Sequence, residues 1–437
     1  MPRILSSDLQ KHINEEVAVS GWLHKRRELG GMTFLVLRDR RGLIQILDEK
    51  SKEVEKLDGL QNGTILAVKG TVVEDERAPG GVEIHEPEVT VDVPVKFVMP
   101  IEIDKPLDHK PDNLDVLFEN RVVGLRNLQE AAIFKVQDAV KQAVREYLQG
   151  LDFVEFNSPK LLPGSTEGGA EVFKLNYFGR EATLAQSAQF YKQIMVGVFE
   201  RAFEINPTYR AELSATTRHM TEFIHIDAEM GFIEFEDLLE LMGGLLNYAV
   251  NRVWETSAPD LEKWKATKPV VPAKVPAIPM SEIHEKYTHE TGQSTIGEKD
   301  LRPDEERWIC EYAAENLRSE AVFVVDWPVS EMKFYHRVSK EHPEFAERCD
   351  LLFRGVEIAT GSMRENRYEV LLEQLKTKVK GNPEHPGFKY YLEAFKYGMP
   401  PHGGFGLGLE RLTQKIIGLN NVKEATLFPR DINRLAP

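Results

Sequence analysis

Tyr209-Arg210-Ala211-Glu212, followed by Arg218-His219 and Phe223, is the first of three segments whose residue types could handle a phosphorylated ligand. A strand-borne arginine holds a phosphate through its planar fork. A glutamate two residues along projects from the same strand face, and an aromatic further on can stack a base. Taken alone, the segment also reads as a surface salt bridge on a hairpin. The second segment is Gly404-Phe405-Gly406-Leu407-Gly408-Leu409-Glu410-Arg411-Leu412, whose glycines let backbone approach a ligand or another element closely. Its Arg411 stands where a C-terminal helix is expected to open. A dinucleotide-binding reading fails here, because no hydrophobic parallel strand precedes the run and no βαβ unit surrounds it. The third is Asp350-Leu351-Leu352-Phe353-Arg354-Gly355-Val356-Glu357, continuing to Arg364. Asp350 and Glu357, near the two ends of an apolar strand-like run, are hard oxygen donors suited to Mg²⁺. Arg364 could pair with a carboxylate.

Elements must hold these residues, and the chain is long enough to supply them. Its 437 residues predict two or three domains. Hydrophobic residues at 42% and charged residues at 29% are the balance of a soluble globular protein. No apolar run approaches the ~20 residues that cross a bilayer, and MPRILSSDLQ carries no targeting signature. Cys310 and Cys349 are too few for a disulfide framework or a cysteine zinc site, so two reduced thiols in a cytoplasmic protein are expected. The net charge of −15 argues against nucleic-acid binding only if no local basic face exists. Lys25, Arg26, Arg27, Arg38, Arg40 and Arg41 could form such a face or simply a solvated surface.

Residues 14 to about 100 read as short strands separated by Gly, Asn and Pro, with a helical stretch SKEVEKLDGL between them. A small OB-type Greek-key barrel fits, with a sandwich as the alternative. Domain boundaries are set at 1–100 for the barrel, 101–124 for a Pro/Asp/Lys-rich linker, and 125–437 for a second domain. The second domain opens on helical spacing in LRNLQEAAIFKVQDAVKQAVREYLQGL and continues as irregularly alternating strands and helices. An α+β domain on an antiparallel sheet flanked by helices is expected. Residues 256–305 look like a partly structured surface insertion.

The first two of these segments, with VEFNSPKLL ahead of them in the chain, resemble the class II aminoacyl-tRNA synthetases. YRAE resembles their motif 2, GFGLGLERL their motif 3, and VEFNSPKLL, with Pro159, the motif 1 that forms a homodimer interface. An OB-type anticodon domain ahead of the catalytic domain is the order of the aspartate, asparagine and lysine subclass. Ser165-Thr166-Glu167-Gly168-Gly169 looks like the mobile loop of the aspartyl enzymes. Gln186-Ser187-Ala188-Gln189-Phe190-Tyr191-Lys192-Gln193 looks like their QSPQxxKQ segment, with Ala188 in place of the usual proline. The resemblance implies that Lys192 and Arg364 hold the side-chain carboxylate of L-aspartate. Two fixed cations favour a carboxylate over a neutral amide, in agreement. Glu167, Gln189 and Asp227 would receive the substrate ammonium group.

For ATP, the resemblance assigns Arg210 to the α-phosphate and Glu212 to the adenine amino group. Phe223 and Arg411 would sandwich the adenine, and Arg218 and His219 would reach the outer phosphates. Asp350 and Glu357 would bind Mg²⁺, with Thr360 assisting; Glu229 receives no role. Catalysis would then be positioning plus electrostatic stabilisation by Arg210, Arg411 and the metal. In the barrel, Arg27, Phe34 and Gln45 match anticodon-reading positions. Alternation in MTFLVLRDR leaves open whether Phe34 stacks on a base or fills the core. The chain lacks the large insertion between motifs 2 and 3 of ordinary bacterial aspartyl enzymes, and it ends soon after motif 3. Both features resemble the archaeal type.

His24 and Pro79 stand where enzymes restricted to tRNA-Asp tend to have Trp and Lys. They resemble the non-discriminating form, which also charges tRNA-Asn and leaves an amidotransferase to complete the product. The alternatives are an asparaginyl enzyme, opposed by Lys192, and an asparagine synthetase, opposed by the anticodon barrel. A catalytically idle RNA-binding paralogue is opposed by the intact motifs.

Overall fold

A computed structural model describes residues 1–49, 52–164, 172–214 and 216–437. The chain forms two compact units, residues 1–131 (with Pro437) and 132–436. No helix among the described residues is long and apolar enough to cross a membrane.

The first unit is a closed barrel of β1 (Glu16–Leu29), β2 (Met32–Arg38), β3 (Leu43–Asp48), β4 (Ile65–Glu74) and β5 (Val82–Val93), in the order β1-β2-β3-β5-β4. Only β3 and β5 pair in parallel, through Gln45↔Glu83 and Ile46↔Ile84. Alternation builds the core, since Val17, Val19, Leu35, Leu37, Ile44 and Ile46 all turn inward. Phe34 is therefore on the outer face, half-exposed, and the alternative that it fills the core falls away. The stretch expected to be a plain linker contains α1 (Pro111–Glu119), whose Leu114, Leu117 and Phe118 pack with Ile101.

The second unit is built on an eight-stranded sheet. Along the chain its main elements are α2 (Leu128–Gln149, entered from the first unit), β6 (Val154–Glu155), α3 (Gln189–Phe199), β7 (Arg201–Tyr209), β8 (Glu222–Gly231) and α4 (Phe235–Thr256). Then come β9 (Ala277–Pro279), α5 (Met280–Thr291), α6 (Pro303–Leu317), β10 (Ala321–Val325), β11 (Arg348–Phe353) and β12 (Val356–Arg364). The chain closes with α7 (Pro386–Lys396), β13 (His402–Gly408) and α8 (Leu409–Ile417). The sheet order is β9-β10-β11-β12-β13-β8-β7-β6, antiparallel except at its two edges.

Strict alternation in β8 sends Ile226, Ala228 and Met230 into the main core and leaves His225, Asp227 and Glu229 on the opposite face. Helix α4 covers the core face through Leu238, Leu241, Met242, Leu245, Leu246, Val250 and Val253, an i, i+3, i+4 stripe. A capping box between Glu234 and Asp237 starts it. The other face is only partly covered. At one end α5 and α6 pack Ile283, Ile309 and Ala313 against Val322, Val324 and Leu352. At the other, α3 and α7 surround Phe334 and Tyr335 with aromatic rings. A cleft remains between them.

Two expectations are corrected. Residues 256–305 are no surface insertion: they supply edge strand β9 and helix α5, and Ile283 is fully buried. The local composition was Pro- and Lys-rich because the segment crosses the sheet edge between short elements. The Asp350–Glu357 run is not one strand either. It folds into the β11–β12 hairpin, whose two-residue turn has Arg354 at φ 48° and Gly355 at φ 80°.

Candidate active site

The cleft has a volume of about 560 Å³, and its floor is the polar face of β8, β12 and β13. Close approach along β13 requires glycine. A Cβ at Gly404 would lie 2.1 Å from a Glu229 carboxylate oxygen, and one at Gly406 would lie 2.3 Å from the His225 ring. The glycines thus make room for the β8 side chains to lie flat across the neighbouring strand.

A bulge does comparable work in the hairpin. Glu357 and Thr360 are three residues apart, so a regular strand would turn them to opposite faces. The register shifts between Leu351 and Leu352, which pair with Ala359 and Glu357 and leave Ile358 unpaired. Glu357 therefore joins Asp350 and Thr360 on the cleft face, and Thr360 Oγ1 donates to Glu357 Oε1 at 2.7 Å.

At one end of the cleft, Lys192 is 1% exposed and donates to Asp227 Oδ1 at 2.8 Å and to the Phe405 carbonyl at 2.7 Å. Arg364 is bound by Glu229 through two contacts of 2.7 and 3.2 Å and also donates to the Gly404 carbonyl at 2.9 Å. Glu229, which motif reading left without a role, is thus the group that sets the plane of the Arg364 guanidinium. Burial would raise the Asp227 carboxyl, but His225, 2.8 Å away, and Lys192 outweigh it and hold it far below the usual range. Gln189 is buried beside them, and its side-chain nitrogen has no partner among the described residues.

At the other end, Arg210 follows the last residue of β7 rather than lying within it, so Glu212 does not share a strand face with it. The strand stops because β8 begins pairing only at Glu222. The Arg210 guanidinium lies 5.3 Å from the centre of the Phe223 ring. Arg411, in the first turn of α8, donates to the Glu357 carbonyl at 2.7 Å and stands 3.4 Å from its carboxylate. Burial would raise Glu357, but Arg411 and Thr360 hold its carboxyl down. His219 lines the same wall, and burial lowers its imidazole below the ordinary value.

The cleft therefore gathers Gln189, Lys192, Arg210, Glu212, Arg218, His219, Phe223, Asp227, Glu357, Thr360, Arg364 and Arg411 from the predicted set. Asp350 shares that face, directly opposite Thr360, but does not itself line the cleft. It is buried and bound by Arg348 at 2.9 Å, and burial pushes its carboxyl up to about 7. Glu167 and the loop 165–169 lie outside the described residues. No group of three or more His, Cys, Asp or Glu residues among those described forms a metal cage. A pair of carboxylates sharing a face suits Mg²⁺, which usually takes one or two carboxylates and substrate phosphates.

Sequence reading missed Arg348, Lys299 and Asp300. Arg348, two residues before Asp350 on β11, was recoverable from period-2 spacing, and it stacks 3.8 Å over Trp327. Lys299 and Asp300 enter from the segment misread as an insertion and left no local signal.

Glu410 was quoted only as part of its motif. It is buried at the start of α8, and both carboxylate oxygens accept from the Ile224 N–H, at 3.0 and 3.1 Å. Burial nonetheless pushes its carboxyl from 4.5 up to about 7. An acid raised in the fold stays protonated where the unfolded chain has ionised. The Glu410 contribution to stability is therefore full below about pH 4.5 and is lost as pH rises toward 7, by on the order of 3 kcal/mol. Glu410→Gln should make the fall of stability across this window shallower in denaturant titrations; equal slopes in the two proteins would show that Glu410 ionises freely.

In the barrel, Arg27, Phe34 and Gln45 share the outer face. Arg27 pairs with Phe34 across β1–β2, and Gln45 lies two rungs away opposite Val36, on the same face. Gln45 donates to Glu83 at 2.9 Å, and Pro79 opens an exposed turn, Pro79–Gly81. His24, at the bulge between Leu23 and Lys25, is 6% exposed, with Arg38, Lys25 and Asp104 near it. Any effect of His24 on a bound strand must pass through its neighbours. The basic face is partly neutralised, with Lys25 against Asp104 and Arg26 against Glu28 and Asp58.

Residues 113–432 match the family model of the class II tRNA synthetases (D, K and N), and residues 17–92 match that of the OB-fold nucleic acid binding domain. The chain belongs to the class II tRNA synthetases of the D, K and N group. Among curated synthetases of this class, it is 43% identical to an aspartate–tRNA(Asp/Asn) ligase of Thermus thermophilus, with all of both chains covered. It is 38% identical to an aspartate–tRNA(Asp) ligase of Pyrococcus horikoshii, with 99% of each covered. Among solved class II structures, an asparaginyl-tRNA synthetase of Pyrococcus horikoshii bound to asparaginyl-adenylate superposes with a TM-score of 0.91 at 30% identity, covering both chains fully. The aspartyl-tRNA synthetase of Entamoeba histolytica gives 0.85 at 26% identity, covering 100% of this chain and 93% of that one. Class II synthetases use ATP and Mg²⁺ in general, and the barrel of this one is a nucleic-acid-binding module of the family.

Proposed function

We propose that this synthetase activates L-aspartate with ATP and transfers it to tRNA-Asp, and that it also charges tRNA-Asn. The observation that carries the aspartate reading is the buried Lys192–Asp227 and Arg364–Glu229 quartet, two cations and two carboxylates with no net charge. Lys192 and Arg364 offer donors to the aspartate side-chain carboxylate, and Glu167, Gln189 and Asp227 take the ammonium group. Lys192 and Arg364 carry only N–H donors, so a carboxylate with two acceptor oxygens is matched where an amide would turn its own NH2 donors against them. Full-length identity to aspartate–tRNA(Asp/Asn) ligases at 37–43% supports the wider tRNA range.

At the nucleotide end, Phe223 and Arg411 flank the adenine and Glu212 accepts from its amino group. Arg210 meets the α-phosphate, and Arg218 and His219 meet the outer phosphates. Mg²⁺, held by Asp350 and Glu357 with Thr360 assisting, would neutralise phosphate charge. The aspartate α-carboxylate attacks the α-phosphorus in line and pyrophosphate leaves. The chain's own contribution is alignment by Lys192, Arg364 and Arg210 and charge stabilisation by Arg210 and Arg411. The terminal ribose hydroxyl of tRNA then attacks the adenylate.

On the RNA side, Phe34 stacks an anticodon base while Arg27 and Gln45 bond base edges. Pro79 shapes the adjoining turn, and His24 acts indirectly. Val154 and Leu161, exposed at 40% and 50% in motif 1, suit a homodimer interface. Aspartate on tRNA-Asn would need a tRNA-dependent amidotransferase, and the setting is cytoplasmic. Charging unmodified tRNA-Asp and tRNA-Asn transcripts with labelled aspartate tests this reading. Both should be aspartylated; refusal of tRNA-Asp by folded enzyme overturns the function, and refusal of tRNA-Asn alone overturns the wider range.

A further inference from the structure

Helix α6 carries an acidic first turn, Asp304-Glu305-Glu306, and the plain reading of such a turn is compensation of the helix dipole. Glu305 already performs the local duty. Its carboxylate accepts from the Arg302 N–H at 3.0 Å and from Thr295 at 2.6 Å, and it is fully buried. Glu306 does something else. Its carboxylate accepts from Arg218 Nη1 at 2.7 Å, across 88 residues of sequence. Arg218 Nη2 also points to the Gly355 carbonyl at 3.4 Å, in the turn of the β11–β12 hairpin.

Arg218 sits on the long connection between β7 and β8, where a free side chain of this length would sample many rotamers. Here it lines the cleft, while Glu306 stands outside the cleft wall. A guanidinium has five N–H donors in a fixed fork. One goes to Glu306 and one faces Gly355, and the other three have no protein partner among the described residues. One N–H on each arm is thus engaged, and the remaining donors are left for a ligand in the cleft that Arg218 lines. Glu306 is mostly buried, which raises its carboxyl, and Arg218 opposes that rise.

We infer that Glu306 is a positioning residue, which fixes the Arg218 guanidinium so that its open edge receives the outer phosphates of ATP and the leaving pyrophosphate. This rests on the reading of Arg218 as a phosphate contact. Loss of an orienting partner behind a ligand-binding group typically weakens binding tenfold or more. The effect must be specific to phosphate substrates, since Glu306 has no contact with the Lys192–Arg364 end.

Aspartate-dependent ATP–pyrophosphate exchange, run on the full chain in both directions, tests it. Glu306→Ala should raise KM for ATP and for pyrophosphate about tenfold and leave KM for aspartate within about twofold. Glu306→Gln keeps the shape and one acceptor oxygen, so it should fall between wild type and alanine; it also carries the comparison if alanine fails to fold. The double variant R218A/E306A should match R218A within about twofold, because residues acting as a unit are non-additive. The inference is overturned if R218A raises the phosphate KM values while E306A and E306Q do not. It is equally overturned if KM for aspartate moves as much, or if the two losses simply add. If R218A itself leaves both phosphate KM values at wild type, the phosphate role of Arg218 is what has failed.

Discussion

Arg210→Ala is expected to lower aspartate-dependent ATP–pyrophosphate exchange by about 10²- to 10³-fold, the usual loss when one preorganised donor to a transition-state charge is removed. The same change should leave stability within about 0.5 kcal/mol, because Arg210 is exposed and carries no ion pair among the described residues. Its one ring contact, Phe223 at 5.3 Å, belongs to the cleft. A large kinetic loss without a stability loss separates a substrate contact from a structural one. Exchange at the wild-type rate in the alanine variant would sink the assignment of Arg210 to the α-phosphate.

The second expectation couples function to folding. Lys192→Ala removes a cation that is 1% exposed and leaves Asp227 with His225 alone and Glu229 with Arg364 alone. Breaking a buried pair in this way costs about 3–5 kcal/mol, readable as a shift of the denaturant midpoint. Among molecules that remain folded, kcat/KM for aspartate should fall by on the order of 10³-fold, because half of the carboxylate clamp is gone. The preference for aspartate over asparagine should narrow in the same assay. Retained stability together with retained preference would mean that Lys192 is neither buried nor the specificity residue. A stable variant that merely lost activity would place the lysine on the surface of α3.

Legibility differed by scale. Barrel strands and β8 were visible because alternation is a local property, and in β8 it sorts Ile226 and Ala228 from Asp227 and Glu229. The hairpin at Asp350–Glu357 was misread as one strand because Arg354 adopts positive φ beside Gly355, a turn that the apolar run conceals. Residues 256–305 were misread because a three-residue edge strand and one short amphipathic helix carry too little period to outweigh proline and lysine.

The site shows the same division. Motif types and order, read on the chain alone, collected many of the charged residues that line the cleft but not Arg348, Lys299 or Asp300, since chemistry of this kind needs the motif side chains wherever they fold. Their partners were another matter. Lys192 meets Asp227 across 35 residues, Arg218 meets Glu306 across 88, and Arg364 meets Glu229 across 135. Period and composition report only on neighbours within a turn or a rung, so no local pattern could announce these pairs. What the sequence by itself determined was which side chains the protein has for holding an amino acid, a nucleotide and an RNA strand. Which of them are buried, His24 among them, and which carboxylate orients which cation were decided only when sheet pairing, one bulge at Ile358 and another beside His24 set the distances between them.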